Sequence, residues 1–184
     1  MEIIHLNKHL KNNRDKMIQG NKCAYVDLKI VKNHYLHNIN TENLFKKKRI
    51  ILFSLPGAFS SIQSETQLNS FEENYDKFLS LGINEIFCIS VNDGNVMNAW
   101  SEYQKIKKVK LLPDGNADFT RAMGMLVDKK KLGLGLRSWR YCAIINDCIV
   151  EKWWQEDGMN NEGKDVDPYQ QTTPKNCIDY LSDF

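Results

Sequence analysis

The feature that most constrains the fold is a strand, a helix and a second strand in immediate succession. Ile50-Ile51-Leu52-Phe53-Ser54-Leu55 is a short, nearly continuous apolar run that stops at Pro56-Gly57. Such a run suits a central strand covered on both faces. From Ser64 to Leu81 the apolar positions Leu68, Phe71, Tyr75 and Phe78 recur at three and four residues, and Gly82 follows at a C-terminal cap position. This spacing predicts an amphipathic helix. Glu85 to Val91 then reads as a second buried strand. Short links between the three elements imply a right-handed parallel crossover, so the fold class is α/β.

Flanking elements extend this unit. Cys23 to Val31 alternates like a half-buried strand, and Asn92 or Asp93 can cap a helix through Val96, Trp100 and Tyr103. Val109 to Leu112 predicts a short strand before Pro113, and Phe119, Met123 and Leu126 a short helix. Tyr141 to Ile145 and Ile149 to Trp153 flank the turn-like Asn146-Asp147-Cys148 as an antiparallel hairpin, and Pro174 opens a closing helix. Residues 1–16 read as a surface arm and residues 17–184 as one domain, a length sufficient to bury a substantial core.

A formal charge of +2 with interspersed carboxylates offers no basic field for nucleic acid. No apolar run approaches the ~20 residues that cross a bilayer, and the N-terminus lacks a signal-peptide core, so a cytoplasmic protein without membrane partners is expected. The five cysteines, Cys23, Cys88, Cys142, Cys148 and Cys177, are odd in number and lack metal-ligand or paired spacing, which predicts reduced thiols and no metal site. His34 and His37 show no ligand partner. Glu156, Asp157, Glu162, Asp165 and Asp167 lack the spacing of a calcium loop and read as a solvated segment.

Three stretches, in order, carry a resemblance: Leu52-Phe53-Ser54-Leu55-Pro56-Gly57-Ala58-Phe59-Ser60, Ser90-Val91-Asn92-Asp93, and Gly135-Leu136-Arg137-Ser138-Trp139-Arg140-Tyr141. Leu111 to Gly115 and Gly124 to Asp128 fit between them. Together they resemble the peroxiredoxins, most closely the type-five, redoxin-domain subgroup. The resemblance implies a thioredoxin-like fold, a central mixed β-sheet flanked by helices, and no bound cofactor. It also implies a homodimer formed through the loops around the pocket, with Phe59 and Trp139 as contact residues.

In that family a proline, a hydroxyl residue, a cysteine at a helix N-terminus and a distant arginine surround the peroxide. Unpaired N–H groups and the arginine hold such a cysteine as a thiolate. Carried over, Pro56, Gly57, Phe59 and Ser60 form the pocket loop and Arg140 supplies the guanidinium, while Gln63 stands at the cysteine position. Glutamine has no ionisable nucleophile. The resulting expectation is a chain without thiol-peroxidase chemistry that keeps an anion-friendly pocket for a small anion, a carboxylate or a partner. The alternative is an active thiol-dependent peroxidase acting on hydrogen peroxide or alkyl hydroperoxides through a non-standard cysteine. Cys142 is the substitute thiol considered, because side chains two apart on a strand share a face and Cys142 follows Arg140 by two.

Overall fold

The computed structural model describes residues 18–164 and 167–183. The arm read over 1–16 therefore lies outside the described residues. The described chain opens with a hairpin, β1 (Asp27–Lys32) and β2 (Tyr35–Asn40), in antiparallel register. Asn33 and His34 form its turn at φ of 52° and 67°, and two successive left-handed residues are what a two-residue hairpin requires. The strand predicted from Cys23 starts later, and β2 has no alternating apolar face because most of it is exposed.

Asn40 caps α1 (Thr41–Phe45) by accepting the Glu42 N–H, and the chain enters β3 (Arg49–Ser54), whose five last residues are all buried. The helical stretch that follows is two helices rather than one. Ser61 caps α2 (Ile62–Glu73), and α3 (Tyr75–Ser80) begins after Asn74, whose side chain donates to the Ser70 carbonyl. An asparagine bonded to the backbone competes with helical pairing, and here that interrupts the predicted run. β4 (Glu85–Ser90) then pairs parallel to β3.

Asp93 caps α4 (Gly94–Tyr103) by accepting the Asn95 and Val96 N–H groups, and β5 (Lys110–Pro113) pairs parallel to β4. Next come α5 (Asp118–Ala122) and the small antiparallel pair β6 (Leu126–Asp128) and β7 (Leu136–Ser138). β8 (Tyr141–Asn146) and β9 (Ile149–Gln155) form the expected hairpin, and α6 (Pro174–Ser182) has proline in its first turn. The main sheet runs β5-β4-β3-β8-β9, parallel on one side of β3 and antiparallel on the other. This is the thioredoxin-like α/β arrangement, a mixed sheet flanked by helices.

Because successive strand residues point to opposite faces, the unbroken apolar run of β3 feeds two cores. Ile50 and Leu52 face Phe45, Phe87, Phe119 and Trp153, whereas Ile51 and Phe53 face Leu68, Phe71, Phe78 and Trp100. Phe53 stacks on Phe71 with ring centroids 4.3 Å apart. Truncating either ring to alanine costs about 3–5 kcal/mol. This packing clamps the last turn of α2 to the sheet.

Candidate functional site

The site lies where the loop leaving β3 turns into α2. Pro56 and Gly57 are buried just past the strand, and a Cβ on Gly57 would meet Arg137 Nη1 at 3.0 Å and Asn92 Oδ1 at 3.3 Å. A side chain here would force the Arg137 guanidinium or Asn92 to give by a few tenths of an ångström. Asn92 Oδ1 accepts the Ala58 N–H at 2.9 Å, and Phe59 turns the chain at a φ of 57°. Its ring is 51% exposed, with Trp100 and Tyr103 as neighbours at 6.4 and 5.6 Å. Ser60 Oγ donates to the Gly57 carbonyl at 2.6 Å, closing the turn, and Ser61 Oγ accepts the Ser64 N–H at 3.1 Å.

Arg140, immediately before β8, reaches this loop from across the sheet and is 1% exposed. Its Nη1 donates to Gln67 Oε1 at 2.5 Å and its Nη2 to Ser64 Oγ at 3.3 Å. Nη2 also meets Asp167 Oδ1 at 2.5 Å, an ion pair whose acidic side chain is 18% exposed. The other Asp167 oxygen accepts from Ser61 Oγ. Arg140 Nε has no hydrogen-bond partner among the described residues. Tyr169 lies with its ring centre 5.8 Å from the guanidinium carbon and exchanges a 2.8 Å hydrogen bond with Ser70 Oγ.

The anion position at the start of α2 is thus filled from within the chain. A helix N-terminus and a guanidinium both favour negative charge, and the Asp167 carboxylate supplies it. This corrects the reading of the polar segment as solvated. Glu156 departs from it too, being 1% exposed, with Oε1 accepting the N–H groups of Gln170, Gln171 and Thr172 and the Thr172 hydroxyl. Buried carboxylates persist only when so paired. Asp165 lies outside the described residues.

The other anticipated residues are placed as follows. Gln63 is on the exposed side of the first turn of α2, beside Ile62 at 78% exposure, and the side chain facing Arg140 is Ser64. Trp139 is 2% exposed and its Nε1–H donates to the Glu156 carbonyl at 2.8 Å, so it is an internal residue and not a subunit contact. Cys142 is fully buried with its Sγ 3.4 Å from Cys177 Sγ. Burial first, then the Cys177 contact, push the Cys142 thiol well above its ordinary value. Cys88 is likewise raised by burial, with the Arg140 charge pulling it partly back. Among the described residues, no group of three His, Cys, Asp or Glu side chains is placed to hold a metal ion, and no helix is long and apolar enough to cross a membrane.

Gln67 and Asp167 were not anticipated at the site. Ser64 and Gln67 are three apart in the first turns of α2, and that spacing places them on one face, while Ser60 lies in the loop before the cap. Asp167 has no such signal, because nothing local ties it to Arg140.

Comparison with known proteins agrees with this architecture. The sequence model of the Redoxin family matches residues 21–170. A peroxiredoxin of Rhizobium etli is 52% identical over 141 residues, 77% of this chain and 78% of that protein. Peroxiredoxin y4vD of Sinorhizobium fredii is 49% identical over 144 residues, 78% of this chain and 76% of that protein. The crystal structure of the Plasmodium falciparum antioxidant protein, a 1-Cys peroxiredoxin, superposes with a TM-score of 0.84 at 33% identity, covering 90% of this chain and 100% of that one. These likenesses, with five thiols in the chain, correct the expectation of a protein that has abandoned thiol-peroxidase chemistry for anion or partner binding.

Proposed function

The chain belongs to the peroxiredoxins of the redoxin family, and on that premise we propose that it is a thiol-dependent peroxidase reducing hydrogen peroxide or alkyl hydroperoxides through a cysteine other than residue 63. The observation that carries this reading is the Cys142–Cys177 pair, with sulfurs 3.4 Å apart. It sits under the Arg140 layer: Tyr169, whose ring faces Arg140, is also close enough to feel Cys142 and Cys177 electrostatically.

In this scheme one thiol of the pair attacks the distal oxygen of the hydroperoxide. The O–O bond breaks, water or an alcohol leaves with the thiol proton, and a sulfenic acid forms. The second thiol displaces its hydroxyl, giving a disulfide and water. An external dithiol restores the pair by exchange. In the folded chain Cys142 and Cys177, the latter on α6, are both fully buried, and the raised Cys142 thiol is unreactive there, so attack requires α6 to open.

Residue 63, a glutamine on the exposed side of α2, takes no covalent part. Ser64, Gln67 and Arg140 serve as donors toward a bound peroxide once Asp167 is displaced. A homodimer through the exposed Phe59 loop and a cytoplasmic location belong to the same reading.

The test is peroxide consumption by the purified chain with dithiothreitol as reductant, alongside Cys142→Ser and Cys177→Ser. Turnover well above that of an unrelated thiol protein is expected, lost in the variant that removes the attacking thiol and, in the other, continuing without the disulfide because dithiothreitol reduces the sulfenic acid directly. Consumption no faster than such a control would remove the peroxidase reading, and turnover untouched by either serine would remove this cysteine pair.

A further inference from the structure

Away from Arg140, the segment ahead of β1 and the tip of the β8–β9 hairpin bring two further thiols together. Lys22 bridges Ile149 in antiparallel sense, which sets Cys23 opposite Cys148, and the Cys23 N–H donates to the Cys148 carbonyl at 2.8 Å. Residues opposed in this way have Cα atoms about 4.5–5.5 Å apart. That spacing lies within the Cα range of a disulfide, and because the Cys148 Sγ now rests 3.7 Å from the Glu42 carbonyl, closure requires it to turn toward Cys23.

The hairpin turn makes the second cysteine unusual. Asp147 and Cys148 have φ of 45° and 67°, the two left-handed central residues of a type I′ turn, whose second position ordinarily carries glycine. A cysteine there works against its own backbone preference, as His34 does in the matching turn between β1 and β2. Both cysteines line a cavity of about 170 Å³ together with Lys22, Glu42 and Phe45. Cys148 is half-buried and Cys23 is 8% exposed, so oxidant in solvent reaches Cys148 first.

We infer that Cys23 and Cys148 are a redox-responsive dithiol that closes to an intrachain disulfide under sustained oxidation, stapling the segment ahead of β1 to the hairpin tip. With a hydroperoxide as oxidant, the Cys148 sulfur takes the distal oxygen, the O–O bond breaks, and water or an alcohol leaves with the thiol proton. The Cys23 sulfur then displaces hydroxyl from the sulfenic acid as water, so the pair loses two hydrogens in total. The reaction is slow rather than catalytic. Burial raises Cys23 to about 12, and burial with Asp147 and Glu42 raises Cys148 against the opposite pull of Lys22 and Lys46. The pair neither uses nor requires the Arg140 site.

The experiment is hydrogen peroxide treatment of the full chain, followed by thiol blocking, non-reducing digestion and mass mapping. A Cys23–Cys148 linked peptide is expected, absent in Cys23→Ser and in Cys148→Gly and retained in Cys142→Ser. Glycine suits the left-handed turn, so Cys148→Gly folds and its thermal midpoint without oxidant is at least that of the parent. In a Cys142→Ser background, oxidised chain should melt above reduced chain because the bridge closes a long loop, and adding Cys148→Gly should remove that gain. If peroxide consumes thiols elsewhere and no Cys23–Cys148 peptide forms, the inference is wrong. A Cys142–Cys177 peptide alone would leave the proposed peroxidase standing and remove this second pair.

Discussion

Asp167→Asn isolates the charge that fills the site. Asparagine tolerates a left-handed backbone as aspartate does, so the φ of 52° at this residue is undisturbed and the substitution removes only the negative charge. Arg140 is 1% exposed on its side chain and Asp167 18%, so the guanidinium is left almost fully desolvated with Ser64 and Gln67 as neutral acceptors and Nε still without a partner. Breaking a fully buried pair costs about 3–5 kcal/mol. Partial exposure of the carboxylate and the retained amide oxygen reduce this to about 2 kcal/mol, the range of a charge-assisted hydrogen bond. For a chain of this size that is a fall of about 4–8 °C in thermal midpoint. Urea unfolding followed by tryptophan fluorescence should be run on Asp167→Asn, Arg140→Gln and the double variant. A coupling of about 1–3 kcal/mol is expected between the two sites. A single-variant loss below about 0.5 kcal/mol, with additive effects in the double, would show that the ion pair does not form in solution and that Asp167 is not the internal anion.

Glu156→Gln should destabilise by about 2–4 kcal/mol, because one buried oxygen holds three backbone N–H groups and a hydroxyl; amide exchange of Gln170 to Thr172 should accelerate, and unchanged protection there would refute the role. Asp114 is held above its ordinary 3.8 by burial, against opposing hydrogen bonds from Thr120 and Phe119. Its contribution to stability is therefore full below the unfolded value and lost as pH rises through the folded one; the carboxyl resonance of Asp114 should titrate above 3.8, and a midpoint at or below that would reverse the sign. Phe59→Glu should shift a Phe59-mediated dimer to monomer in sedimentation velocity without loss of fold, since the ring is 51% exposed; an unshifted dimer would place the contact elsewhere.

Local chemistry was enough to read the α/β class from β3, the helical stretch and β4, because periods of two and of three to four residues report which face of an element is buried. The Pro56 to Ser60 loop and Arg140 were legible as site residues only through the resemblance of their short motifs to the peroxiredoxins. The division of one predicted helix at Asn74 was not, since it depends on whether a side chain bonds Ser70 or water. That Ser64 and not Gln63 faces Arg140 depends on the rotation of α2 about its axis. The Phe53–Phe71 stack and its neighbours set that rotation from the sheet side. Asp167 on Arg140, Glu156 beneath the Gln170 to Thr172 backbone, and Cys23 opposite Cys148 join residues far apart in sequence. Their meeting is decided by sheet register and by the burial that makes an unpaired charge too costly to leave alone. Neither is a property of any local window, so only the folded chain determines them.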